Sequence, residues 1–187
     1  FLNEGQKVFV YEPQRNMYTL LVKNINQNNL HHKIIPYNSG VFCFKGSGKM
    51  NDIDLDGSGG IVVKRYKDNN LDCNFGGLCL GSKGESISLT TIDKMELNNI
   101  GFIHCNAQGS ENFIFSKGLK TITRDRPVVL YENNQKFGKY LYKNVCNFYQ
   151  NYEIESLFNI DKYCIEKLNY SKVIHKFNDS IDTLLIP

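Results

Sequence analysis

The first 37 residues alternate between two apolar runs of strand length and one amphipathic stretch of helical length. Residues 7–11 (KVFVY) form the first run, which ends at Glu12 and Pro13, and residues 33–37 (KIIPY) form the second. Between the runs, residues 14–28 carry apolar side chains at the three- and four-residue spacing of one helix face. Strand, helix and strand in this order predict a βαβ unit with parallel strands and a right-handed crossover.

Residues 41–92 have a different pattern, in which short alternating runs are separated by glycine-rich turns. The runs cover residues 41–45, 60–65 and 86–91, and one of the turns is at residues 46–48 (GSG). This pattern predicts an antiparallel insertion or a long connection rather than a separate domain.

Regular alternation of strands and helices returns in the second half of the chain. The predicted elements are a buried strand at 100–105, a helix at 110–122, a strand at 128–131, a helix at 156–168, and strands at 170–177 and 183–186. The last two strands are expected to form an antiparallel hairpin. The whole pattern predicts a single α/β domain over residues 1–187 with an open sheet.

The charge of the chain gives no support to a nucleic-acid-binding function. The formal net charge is only +3, and the lysines are dispersed among acidic and Asn neighbours. No apolar run approaches the roughly 20 residues that a membrane-spanning helix needs, and the first residues lack the basic-then-apolar order of a signal peptide. We therefore expect neither nucleic acid nor a membrane as a partner.

The cysteines and histidines are not spaced as metal ligands. The six cysteines are irregularly placed, mostly among apolar neighbours, and no Cys-x-x-Cys pair occurs. Buried reduced thiols are expected, which suits a cytoplasmic protein. Asp52, Asp54 and Asp56 resemble the start of a calcium loop, but Val63 stands where that loop needs a Glu. The sequence therefore predicts no metal site.

Four groups of segments, taken in chain order, carry a family resemblance. They are residues 8–13 (VFVYEP) with 24–28; 74–77 (NFGG) with 89–93 (LTTID); 101–111 (GFIHCNAQGSE) with 118–122 and 126–132; and 168–170 with 182–187. Together they resemble the FkbM family of S-adenosylmethionine-dependent methyltransferases, and residues 101–111 are similar to that family's iKiDvEGaE segment. The resemblance implies a Rossmann-like methyltransferase sheet with an antiparallel C-terminal hairpin.

The resemblance implies that the residues after the first two strands bind S-adenosylmethionine. Glu12 is implied to accept hydrogen bonds from the ribose hydroxyls, and its place suits that role because ligands lie at the carboxyl ends of parallel strands. Asn38 and Ser39 follow the next strand and are implied to lie near the adenine. The alternative interpretation of Glu12 is a solvated carboxylate in the turn before Pro13.

The resemblance also implies that the loop after residue 105 lies beside the methyl donor. Asn106 and Gln108 are its candidate cofactor-binding residues, and Asn106, His104 and Glu132 are the candidate catalytic residues. The family usually has Asp in place of Asn106, and Asn keeps an acceptor oxygen but lacks the negative charge. His104, where the family usually has Lys, is either a base or a hydrogen-bonded structural histidine. Glu111 opens a helix, where a carboxylate complements the helix dipole.

Members of the family carry a first strand and a glycine-rich loop, Asp-x-Gly-Ala-x-x-Gly, that cradles the cofactor. Residues 1–6 correspond to the end of the helix after that loop, so the resemblance implies that about 30 residues of the fold stand outside this chain. The sheet would then have a central gap with two unpaired edges. We expect a partner segment or a partner chain to complete it.

The resemblance implies methyl transfer from S-adenosylmethionine to an oxygen, or less commonly a nitrogen, of a small molecule or glycan. Holding the methyl group in line with the nucleophile supplies much of the rate of such a reaction, even without a strong base. The alternative is a non-catalytic structural or binding protein built on a degenerate methyltransferase scaffold. A nucleotide- or sugar-binding role without methyl transfer is a third interpretation.

Overall fold

The structure of the chain is a computed structural model, and it describes residues 3–51, 78–81, 84–133, 158–177 and 180–187. Within these ranges, no helix is both long and apolar enough to cross a membrane. The acidic segment at 52–56, the predicted strand at 60–65 and the NFGG segment lie outside the described residues.

The order of elements and the parallel pairing predicted for the βαβ unit are confirmed. Strand β1 (Val8–Tyr11) leads into helix α1 (Arg15–Gln27), and the chain returns in strand β2 (Ile34–Tyr37). The two strands are parallel. Helix α1 buries Ile25 on its apolar face, and the rings of Tyr11 and Tyr37, which are directly opposite in the register, stack with centroids 4.8 Å apart.

The next four strands form a small separate sheet. They are β3 (Gly40–Val41), β4 (Gly46–Met50), β5 (Leu80–Gly81) and β6 (Ser86–Thr90), in the spatial order β3-β6-β4-β5. Strand β4 is antiparallel to both β5 and β6, while β3 is parallel to β6. Antiparallel pairing, which was predicted for this part of the chain, therefore joins three of the four strands, β4, β5 and β6.

Two local predictions for this sheet are wrong. Residues 42–45 lie between strands rather than in one, and residues 46–48, predicted as a turn, belong to β4. The alternation that suggested a strand comes from Phe42 and Phe44, which are both buried and meet edge to face with centroids 5.6 Å apart. Both rings are buried because they pack in the core. Alternating burial therefore occurs here in a segment that is not paired in a sheet.

The second half of the chain forms a four-stranded sheet. It contains β7 (Phe102–Cys105), β8 (Val128–Glu132), β9 (Ser171–Phe177) and β10 (Ser180–Ile186), in the spatial order β7-β8-β10-β9. Strands β7 and β8 are parallel, and β10 is antiparallel to both β8 and β9. The predicted antiparallel C-terminal hairpin is confirmed.

The helix predicted at 110–122 is in fact two helices, α2 (Glu111–Ser116) and α3 (Leu119–Asp125). The break is at Gly118, where an added Cβ would lie 2.8 Å from Ile92 Cδ1. Asp93, in the short 3-10 helix Ile92–Lys94, accepts a hydrogen bond from the Thr121 amide (2.9 Å). This bond gives a partner to one of the main-chain amides at the start of α3, which have no acceptor within the helix.

Strand β7 is not buried as predicted. Phe102 is 54% exposed and His104 is also exposed, while Cys105 is buried. The two exposed residues point to the same face of the strand because side chains alternate along it. Within the described residues, one face of β7 therefore has no cover.

Apart from Ile25 of α1, the buried apolar residues that the structure describes form two cores. The first core joins the small sheet to α2 and consists of Phe42, Phe44, Met50, Leu78, Cys79, Leu80, Ile87, Leu89 and Phe113. The second lies between the four-stranded sheet and its helices, which include α4 (Ile160–Leu168), and consists of Ile92, Cys105, Ile114, Phe115, Ile122, Val129, Tyr131, Ile160, Cys164, Tyr170 and Leu185.

Candidate functional site

The predicted cofactor residues of the first two strands lie together at the carboxyl ends of β1 and β2. The Asn38 side-chain amide donates hydrogen bonds to the main-chain carbonyls of Glu12 (3.0 Å) and Pro13 (3.1 Å). Ser39 donates its hydroxyl to the Ser88 carbonyl of β6 (3.2 Å). These bonds fix the turn after β1 to the chain that leaves β2.

The Glu12 carboxylate is half-buried within that turn. One oxygen, Oε1, accepts a hydrogen bond from the Gln14 amide (2.8 Å), and the other accepts none from the residues that the structure describes. Burial raises the pKa of Glu12, the Gln14 amide opposes this shift, and the nearby Glu85 carboxylate adds to it. Glu85 itself accepts a hydrogen bond from the Arg15 amide at the start of α1 (3.2 Å). Glu12 thus keeps one acceptor oxygen for a donor such as a hydroxyl.

Asn106 and Gln108, the residues predicted to lie beside the methyl donor, are in the loop after β7. We call residues 106–110 the site loop. Gln108 (φ 49°) and Gly109 (φ 87°) both adopt left-handed backbone angles, which is a strained conformation for Gln. The Ser110 amide closes the turn on the Ala107 carbonyl (3.1 Å). The Gln108 side-chain amide reaches Asn106 Oδ1 at 3.5 Å, so the two candidate side chains are neighbours.

The Gln108 side-chain oxygen is buried and accepts no hydrogen bond from the described residues. A buried acceptor without a donor costs free energy of about 1–3 kcal/mol. A ligand that brings an N–H group to this loop would remove that cost.

Glu111, predicted to complement the dipole of the helix that it opens, also holds the site loop, and this contact was not predicted. The residue is 3% exposed, and its Oε1 accepts a hydrogen bond from the Ala107 amide (2.8 Å) inside the site loop. Burial raises the pKa of this carboxyl to about 7, against the opposing effect of the main-chain amides of Ala107, Glu111 and Gly109. The sequence signal was present, because an acid opened a short helix directly after the loop.

The remaining candidate residues lie on β7 and β8. His104 is exposed, pairs with Leu130 in the register, and makes no hydrogen bond with the described residues. Glu132 is the half-buried last residue of β8, opposite Asp182 of β10, and its charge contributes to the raised pKa of Glu111. In the described ranges, no hydrogen bond joins these residues or the site loop to Glu12 and Asn38.

A buried polar cluster behind the four-stranded sheet was also missed. The Tyr131 hydroxyl donates to Asp161 Oδ1 (2.6 Å), and Lys172 pairs with Asp161 Oδ2. Tyr131 and Asp161 are buried, so the cluster ties β8, α4 and β9 together. Its members are far apart in the sequence, and no local pattern predicts their meeting.

The structure describes no group of three or more His, Cys, Asp or Glu residues that could hold a metal ion. Three of the described cysteines, Cys79, Cys105 and Cys164, are free thiols.

No protein-family model and no curated protein matches the chain. Among solved structures, the chain is similar to the methyltransferase FkbM from Methylobacillus flagellatus KT, with a TM-score of 0.53 and 13% sequence identity. The match covers 96% of this chain and 36% of that one. The fold is that of a Rossmann-like methyltransferase. The chain spans about a third of the length of the solved methyltransferase, and at this identity the likeness shows the fold alone.

The residues at the carboxyl ends of β1 and β7 fit S-adenosylmethionine chemically. The Glu12 oxygen that accepts no hydrogen bond from the described residues suits a ribose hydroxyl, and the buried acceptor of Gln108 suits the amino group of the methionine part. Both lie at strand ends where open α/β sheets bind ligands.

Proposed function

We propose that this chain belongs to a methyltransferase of the FkbM type, which binds S-adenosylmethionine and methylates an oxygen of a small molecule or glycan. The hydrogen bond between Asn38 and the Glu12 carbonyl, across the ends of two parallel strands, is the observation that carries the proposal. It presents the Glu12 carboxylate at the position where such a sheet binds an adenosine ribose.

Each candidate residue has a separate part in this proposal. Glu12 accepts the ribose hydroxyls, while Asn38 and Ser39 shape the adenine end. Asn106 and Gln108 orient the methionine end. The bound cofactor supplies a methyl group on a positively charged sulfur.

Residues of β7 and β8, and of the loop after β7, contact the substrate that accepts the methyl group. His104 is exposed at the end of β7 and serves as the base that takes a proton from the acceptor hydroxyl. Glu132, the last residue of β8, is the candidate acid on this side of the site. Asn106 holds the acceptor by hydrogen bonds without taking a proton.

The proposal includes a partner for two strand edges. Among the described strands, β1 pairs only with β2 and β7 pairs only with β8. Val8, Phe9 and Phe102, on these two strands, are 37–54% exposed. A segment or second chain that adds a strand between them would cover this apolar surface and pair the open backbone groups.

We also propose that the chain is a single domain of a cytoplasmic protein. The free thiols favour the cytoplasmic location.

Calorimetric titration of S-adenosylhomocysteine into the protein tests the cofactor site. We expect saturable binding, weakened about tenfold by Glu12→Gln because a charge-assisted hydrogen bond is lost. Glu4→Gln is the matched control, since Glu4 is exposed. No heat at millimolar ligand, or equal affinities for the two variants, would contradict the proposed role of Glu12.

A non-catalytic scaffold is the second candidate function, and Asn106 favours it because this side chain carries no charge. Transfer of a labelled methyl group from S-adenosylmethionine to a panel of hydroxyl-bearing acceptors separates the two. Binding without any transfer would support the scaffold, and transfer that His104→Ala reduces would support the enzyme.

A further inference from the structure

We infer that Glu111 is a positioning residue, whose buried carboxylate holds the site loop in the conformation that presents Asn106 and Gln108. The inference deepens the proposed function and rests on it for the ligand, but the effect on the loop itself is independent of any ligand.

The loop needs such support because its backbone is strained. Gln108 has a φ of 49° and Gly109 a φ of 87°, and a non-glycine residue in the left-handed region costs about 1–2 kcal/mol. Within the described residues, the hydrogen bonds of the loop are the closure of Ser110 on Ala107, the bond from the Ile114 amide to the Ser110 carbonyl, the weak side-chain contact of Gln108 with Asn106, and the bond to Glu111. The last is the only one that involves a charged group.

The Glu111 carboxylate acts as an acceptor for main-chain amides of the site loop. Its carboxylate accepts the Ala107 amide at 2.8 Å, and the amides of Gly109 and of Glu111 itself also favour its charged form. A carboxylate that accepts several main-chain amides makes stronger hydrogen bonds than a neutral acceptor does. Because Glu111 is only 3% exposed, water has little access to these hydrogen bonds.

The surroundings make this support dependent on pH. Among the described residues, the titratable groups that face Glu111 are the Cys105 thiol on β7 and the Tyr131 phenol and Glu132 carboxyl on β8. Burial raises the pKa of Cys105 and that of Tyr131, so neither group ionises near neutral pH. The Glu111 carboxyl has a pKa of about 7 and changes charge there. The loop is therefore held more firmly above pH 7 than below it.

The test uses the amide resonance of Ala107 in the full chain, followed by NMR from pH 5.5 to 8.5. We expect this resonance to titrate with a midpoint near 7 in the wild type and not in Glu111→Gln. Glu132→Gln should keep the titration, and Glu166→Gln, a change at an exposed site on α4, should leave both midpoint and amplitude unchanged. At pH 8, amide hydrogen exchange in the site loop should be about tenfold faster in Glu111→Gln than in the wild type.

The outcomes separate the two proposals. An Ala107 resonance that does not titrate, or that titrates equally in Glu111→Gln, overturns the positioning role. If Glu111→Gln fails to fold, the wild-type and Glu132→Gln titrations still decide, since loss of the transition in Glu132→Gln would assign it to Glu132. If the resonance behaves as expected but S-adenosylhomocysteine does not bind, the positioning role stands and the proposed function fails. If both hold, affinity for S-adenosylhomocysteine should rise severalfold from pH 6 to pH 8 in the wild type and stay flat in Glu111→Gln.

Discussion

The Asn38 side chain donates to the main-chain carbonyl of Glu12 at 3.0 Å, although the two residues are 26 positions apart in the chain. It makes a second bond to the Pro13 carbonyl at 3.1 Å. One amide thus fixes the turn that carries the candidate ribose-binding carboxylate.

Removing that amide should loosen the turn without unfolding the protein. Asn38 is exposed, so Asn38→Ala should lower the free energy of unfolding by only about 1 kcal/mol. The affinity for S-adenosylhomocysteine should fall about fivefold, because Glu12 is no longer held in place. Calorimetry measures the affinity, and Asn98→Ala, at another exposed Asn whose side chain bonds a nearby carbonyl, is the control. A loss of affinity as large in the control would reject the specific role of Asn38.

The stability of the protein should decrease as the pH rises from about 4.5 to 7. The Glu111 pKa is raised from 4.5 to about 7 on folding, so the folded state binds more protons than the unfolded chain in this window. The contribution amounts to about 3 kcal/mol at most. Glu12 shifts in the same direction, so the contribution of Glu111 is the difference between wild type and Glu111→Gln. Urea denaturation at pH 5 and pH 8 measures it, and identical pH dependence of the two proteins would contradict it.

Breaking the Tyr131–Asp161–Lys172 cluster should destabilise the fold. Asp161→Asn leaves the partly buried Lys172 ammonium without its counter-charge and should cost about 2–3 kcal/mol. Tyr131→Phe removes one hydrogen bond of 2.6 Å and should cost about 1–2 kcal/mol. Chemical denaturation gives both values. Lys176→Ala, at an exposed lysine of β9, should change stability by less than about 0.5 kcal/mol.

Gly118→Ala should destabilise the protein through a steric clash. The added Cβ would lie 2.8 Å from Ile92 Cδ1 and 3.0 Å from Ile92 Cβ, and the backbone of the 3-10 helix limits how far Ile92 can move. We expect a cost of about 1–3 kcal/mol, seen as a lower Tm. Gly101→Ala is the matched control, because nothing lies within 4 Å of its added Cβ. Equal Tm values for the two variants would show that the contact is easily relieved.

Elements whose signal is local were predictable from the sequence. The βαβ unit and the C-terminal hairpin follow from periodicity within short windows, and both are present. The break between α2 and α3 was not predictable, because it depends on the approach of Gly118 to Ile92, a residue 26 positions earlier. The exposure of Phe102 on β7 was missed for a similar reason, since an apolar side chain does not reveal whether a neighbour covers it.

The sequence indicated where along the chain the candidate residues stand, but not which hydrogen bonds they make. The resemblance placed Glu12 and Asn106 at strand ends, and both follow strands of parallel pairs. That Asn38 holds the Glu12 turn, and that Glu111 holds the site loop, are tertiary contacts that no spacing rule contains.

Helix α2 has only six residues, a length at which an isolated helix does not form in water. Phe113 belongs to the first core, where it stacks on Phe42 with centroids 5.2 Å apart. The next two residues, Ile114 and Phe115, belong to the second core. Helix α2 is thus ordered by two cores at once, and Glu111 at its start shares that dependence. Partial opening of either core would release the site loop, so we expect amide hydrogen exchange in this loop to depend on the stability of both cores.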